Sequence, residues 1–67
     1  MTGTITRIIA DRGFGFINGD NGTDYFFPRQ EVGGGLDFAR LKSGDRVTFE
    51  EQRGPKGPRA GSVRPIS

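Results

Sequence analysis

With 67 residues, 31% of them hydrophobic, the chain has room for a single domain (1–67) with a thin core, because a domain this small buries only about 60% of the surface its unfolded chain exposes. It contains no Cys, His or Trp, which removes disulfide staples, the usual zinc ligands and the commonest general base. Ten Lys and Arg against eight Asp and Glu leave a formal charge of +2, so the composition points away from enzymes, metal centres and cofactor sites and toward a binding protein held together by packing and strand pairing.

No apolar run approaches the roughly 20 residues of a membrane helix, and the N-terminus lacks the basic-then-apolar layout of a signal peptide. The expectation is a cytosolic chain with no membrane partner and no small-molecule substrate, monomeric, with a homodimer as the alternative.

In chain order, Gly3 to Ile9 is rich in β-branched Thr and Ile and runs into the polar bend Asp11-Arg12-Gly13, which predicts a first strand. Phe14 to Asn18 forms a second, with Phe14 and Phe16 on one face and Gly15 and Ile17 on the other. Gly19-Asp20-Asn21-Gly22 reads as a hairpin turn into a third strand, Asp24 to Phe27, bordered by Pro28, which has no N–H to donate. Gln30 to Gly44, with Gly33-Gly34-Gly35 inside it, is a long excursion with one short helical turn around Asp37 to Leu41. Asp45 to Glu50 alternates as a fourth strand with Val47 and Phe49 inward. Gly54-Pro55-Lys56-Gly57-Pro58 reads as a second flexible loop, and Ala60 to Arg64, with Val63 inward, as a short fifth strand. Five short strands joined by turns imply an all-β closed barrel, since an open sheet of this size would leave long unpaired edges.

The parity of the strands sorts the aromatics. Ile5, Ile17, Tyr25, Phe27, Val32, Leu41, Val47, Phe49 and Val63 suffice for the core of so small a barrel, which leaves Phe14, Phe16 and Phe26 together on the outside. An exposed Phe cluster marks a binding surface, and nucleobases, each with a flat π-face, gain about 1–3 kcal/mol per stacked ring. Phe38 has two equal placements, beneath the long loop or on the same platform.

Charge is localised as well. From Gln52 onward there are four basic residues and no acidic one, whereas residues 1–51 carry six basic and eight acidic. A basic loop beside an aromatic sheet can meet phosphates while the rings meet bases. The glycine-rich stretches lack the spacing of phosphate loops, so no nucleotide cofactor is expected.

Gly13-Phe14-Gly15-Phe16-Ile17, the strand Asp24-Tyr25-Phe26-Phe27, Gly44 ahead of Val47-Thr48-Phe49 and the Gly-Pro then Ala-Gly-Ser-Val ending together resemble the bacterial cold-shock proteins. The resemblance implies a five-stranded antiparallel oligonucleotide-binding (OB-fold) barrel that holds single-stranded RNA or DNA, acting as an RNA chaperone or transcription antiterminator. The chain departs from the family pattern at three stacking positions. Thr6-Arg7-Ile8 stands where Lys-Trp-Phe is usual, and Pro28-Arg29 replaces the His-Phe that closes the second motif. Guanidinium planes stack on bases and pair with phosphates, so Arg7 and Arg29 partly compensate. The expected nucleic-acid contacts are Arg7, Arg12, Phe14, Phe16, Phe26, Arg29, Phe38, Lys56 and Arg59. The alternative is a barrel of this type repurposed for protein contacts, in which the same Phe patch meets a partner or a second copy of the chain.

Overall fold

The computed structural model of the chain describes residues 1–55 and 57–66. Five strands form: β1 (Thr2–Ile9), β2 (Phe14–Gly19), β3 (Asp24–Pro28), β4 (Arg46–Gly54) and β5 (Gly57–Pro65), with single 3-10 turns at Arg29–Glu31 and Phe38–Arg40. They close into a barrel in the order β1-β2-β3-β5-β4, with β4 pairing back onto β1. The seams are antiparallel except the one between β3 and β5, where Phe26 pairs with Arg59 in parallel, supported by a further parallel bridge between Val32 and Val63.

Alternation decides which side of each strand is interior. Ile5, Ile17, Tyr25, Phe27, Val47, Phe49 and Val63 are all nearly inaccessible, Ala60, Leu41 and Phe38 complete the buried cluster, and Val32 packs against it half-buried. Tyr25 is fully buried because its hydroxyl is satisfied: it donates to Glu51 Oε2 at 2.6 Å and accepts from Asn21 Nδ2 at 3.0 Å, so the phenol enters the core at no unpaired polar cost. Gly15 occupies an inward position where a side chain has no space: a Cβ there would lie 2.7 Å from the Arg7 carbonyl oxygen and 2.9 Å from Phe27 Cε1. The missing side chain lets β1, β2 and the Phe27 ring close up, while alternation along β2 turns Phe14 and Phe16 outward.

The structure corrects the expectation of a flexible loop at Gly54, Gly57 and Pro58. Gly54 pairs with Gly57 and Arg53 with Pro58, so β4 and β5 extend into a long two-stranded ribbon where a flexible loop was expected. Gly57 at φ +110° supplies the backbone angle for the reversal, and the exposed outer half of β4 lacks the apolar alternation by which a strand is recognised.

On the outside, Arg46 donates from Nη1 to Asp20 Oδ1 (2.8 Å), from Nη2 to Asp20 Oδ2 (3.0 Å) and from Nη1 to Thr4 Oγ1 (3.0 Å), while Thr2 Oγ1 donates to the same carboxylate. This network ties the β2–β3 turn to β1 and β4. The Arg46 hydrogen bonds first, then that of Thr2, hold the Asp20 carboxyl down at about 2. No helix among the described residues is long and apolar enough to cross a membrane.

Candidate nucleic-acid interface

Phe16 and Phe26 are directly paired across β2 and β3, and Phe14 lies opposite Pro28, so antiparallel register alone brings the three outward rings together. Their centroids are 5.9 Å apart for Phe14 and Phe16, 5.4 Å for Phe14 and Phe26, and 6.1 Å for Phe16 and Phe26. Phe26 is 37% exposed, and Phe14 and Phe16 are half-buried against it. Phe16 meets both other rings edge to face and Phe14 lies tilted against Phe26, leaving an apolar ledge open to solvent, the arrangement expected from strand parity.

Arg7 reaches this ledge through an irregularity in β1. Ile5 pairs with Ile17 but Arg7 pairs with Phe16, leaving Thr6 as the extra residue of a bulge. Bulges re-aim the side chains that follow them, and here Arg7 comes to Phe16. An open cleft of about 380 Å³ is lined by Arg7, Ile9, Arg12, Phe14 and Phe16, so two of the expected cations flank two of the expected rings.

On the other side of the ledge, Phe16, Phe26 and Arg59 line a groove of about 550 Å³ together with Pro55, Pro58 and glycines of the β4–β5 ribbon. Arg59, expected as a free phosphate contact, is tethered: its Nη2 lies 3.6 Å from Glu31 Oε2, with the two side chains 38% and 27% exposed. Glu31, Pro55 and Pro58 were absent from the sequence-based site. Nothing local to Glu31 marks it, because its partner is on a strand distant in sequence.

Phe38 takes the buried one of its two expected placements, and Arg29 stays exposed beside it. Phe38 is only 8% exposed and packs edge-on against Phe27, 6.2 Å between centroids. It is a core residue and not part of the stacking platform. Asp37 accepts a hydrogen bond from the Ala39 N–H at 3.0 Å, capping the turn that points Phe38 inward. The exposed Arg29 lies with its guanidinium carbon 5.8 Å from the centre of the Phe38 ring and its stem against Gly13, whose carbonyl accepts the Arg29 N–H at 2.8 Å. Arg29 thus covers the ring that would otherwise have faced solvent, by a cation–π contact. Lys56, the remaining expected contact, lies outside the described residues.

The 'Cold-shock' DNA-binding domain matches residues 1–66. The chain is 43% identical over 65 residues to Cold shock protein 2 of Lactiplantibacillus plantarum, covering 94% of each. It is 40% identical over 62 residues to Cold shock-like protein CspA of Shewanella violacea, covering 92% of this chain and 89% of that one. Against the Major cold shock protein of Streptococcus pyogenes it is 34% identical over 67 residues, covering 97% and 96%.

Proposed function

The chain belongs to the cold-shock DNA-binding domain family, and from that premise we propose that it binds single-stranded RNA or DNA, stacking bases on Phe14, Phe16 and Phe26. The observation that carries this reading is the ledge itself: three mutually supporting rings on the outer face of β2 and β3, with Arg7 and Arg12 on one flank and Arg59 on the other. Rings take up bases without regard to sequence, and the arginines neutralise phosphates. Arg29 presents a guanidinium plane backed by Phe38 where the family carries an aromatic side chain. Such a protein acts as an RNA chaperone or antiterminator without ATP, because binding unpaired bases draws hairpins open by mass action. Family membership supports a binding protein rather than an enzyme.

An amide NMR titration with oligothymidine and oligouridine, at low and then moderate salt, tests this. Shifts concentrated at Arg12 to Ile17, Tyr25 to Arg29 and along the β4–β5 ribbon are expected. Absence of shifts even at low salt, together with concentration-dependent self-association, would assign the Phe ledge to protein contacts instead.

A further inference from the structure

Among the described residues Arg59 is the one charged side chain that lines the groove beside Phe16 and Phe26, and its hydrogen-bonding capacity is largely unspent. Its Nε is buried with no partner among the described residues, and at 3.6 Å its ion pair with Glu31 is too long for a hydrogen bond. With the side chain 38% exposed overall, the part open to a ligand lies beyond that closed Nε. The guanidinium is nonetheless held in place. Its Cα lies opposite that of Phe26 across the β3–β5 seam. Glu31, which attracts it from one side, is itself fixed by accepting the Ser62 N–H at 3.1 Å. Ser62 lies in the bulge of β5, in the left-handed region at φ +49°, so the carboxylate is docked on a defined kink and not swinging free.

We propose that the Phe16–Phe26–Arg59 groove is a base-reading subsite selective for guanine, with Arg59 as the reading residue and Glu31 as its positioning residue; this rests on the nucleic-acid reading above. A base stacked at Phe26 turns an edge toward the guanidinium. Among the purines only guanine presents two adjacent acceptors on one edge, O6 and N7, matching the arginine fork, and a purine covers more of the Phe26 ring than cytosine, whose O2 and N3 are the other such pair. Adenine places its N6–H₂ donor beside N7, so donor would face donor, and uracil or thymine offers isolated carbonyls. The lining favours a base over a phosphate, because Phe16, Phe26, Pro55 and Pro58 supply apolar surface against which a phosphate would lose its water with little return. At about 550 Å³ the groove is within the roughly 300–1,000 Å³ of ligand-sized clefts. Glu31 contributes by holding the fork in one orientation, since a free arginine would neutralise any phosphate nearby without distinguishing bases.

The test is fluorescence anisotropy with a thymidine heptamer into which one dG, dA or 7-deaza-dG is placed at each position in turn. One position is expected where dG binds about 5- to 150-fold more tightly than dA, the span of a good bidentate contact. The advantage should disappear with 7-deaza-dG and in Arg59→Lys, which keeps the charge but not the fork. In Glu31→Gln the dG preference should shrink while affinity for the all-thymidine oligomer rises, because the released Arg59 then pairs with phosphate. No position that discriminates dG from dA would overturn the proposal. So would an unchanged dG preference in Arg59→Lys, which would make Arg59 a phosphate contact acting through its charge alone. If the all-thymidine oligomer itself does not bind, the proposed function falls together with this inference, whereas binding without preference removes this inference alone.

Discussion

Phe26 and Phe27 are adjacent, of the same type, and on opposite faces of β3, which lets a pair of alanine substitutions separate site from core. Phe27 is fully buried, in contact with Phe38 and against the backbone at Gly15. Phe27→Ala should therefore cost about 3–5 kcal/mol. A chain of 67 residues has a total stability of only about 3–10 kcal/mol, so this variant should be largely unfolded or close to it at 37 °C. Phe26, 37% exposed, gives up its ring contacts with Phe14 and Phe16, about 0.2–1 kcal/mol for a cross-strand pair. Its melting temperature should fall by a few degrees at most, at about 4–8 °C per kcal/mol for a domain of this size. Its affinity for oligothymidine should fall by about 1–3 kcal/mol. Urea and thermal unfolding followed by far-UV circular dichroism, with calorimetric titration on the folded variant, give both readouts. Equal destabilisation by the two substitutions would show that the outer ring is structural. Unchanged affinity in a folded Phe26→Ala protein would show that the ledge is not where bases bind.

With three aromatic stacking groups of the family replaced, a larger share of the affinity should be electrostatic: log K against log salt should fall by about 0.7 per phosphate neutralised on a single strand. Arg7→Gln and Arg12→Gln should each flatten that slope by about this amount for every oligomer, while Phe26→Ala leaves the slope alone; a slope near zero in the wild type would refute the compensation by arginine. Asp20, whose folded carboxyl is held at about 2 against an ordinary 3.8, contributes stability above pH 4 that is lost as pH falls toward 2. The urea midpoint should drop over that window, and Asp20→Asn should remove that part of the pH dependence. Gly15→Ala places a methyl 2.7 Å from the Arg7 carbonyl oxygen and 2.9 Å from Ile8 Cδ1, an overpacking that should cost about 1–3 kcal/mol. Gly54→Ala, with nothing within 4 Å of the added atom, should stay within about 0.5 kcal/mol of the wild type in the same unfolding assay.

What the amino-acid sequence determined by itself is the set of properties with a short period. Strand alternation separated Tyr25 and Phe27 from Phe26, and Ile17 from Phe14 and Phe16, because a side chain's face follows from its parity within its own strand. The absence of His and Cys and the turn at Gly19 to Gly22 are equally local. The tertiary structure decided what depends on residues far apart in the chain. Phe38 had two equal placements until the Asp37-capped turn set it against Phe27 and Arg29 covered it. The bulge at Thr6 shows only in the register of β1 against β2, yet it carries Arg7 to Phe16. Gly54, Gly57 and Pro58 belong to a flexible loop by composition and to a paired ribbon once β4 and β5 share a ladder. Glu31 and Arg59 meet because the barrel closes through a parallel seam at Phe26, and no periodicity within a single strand encodes which strand will be its neighbour.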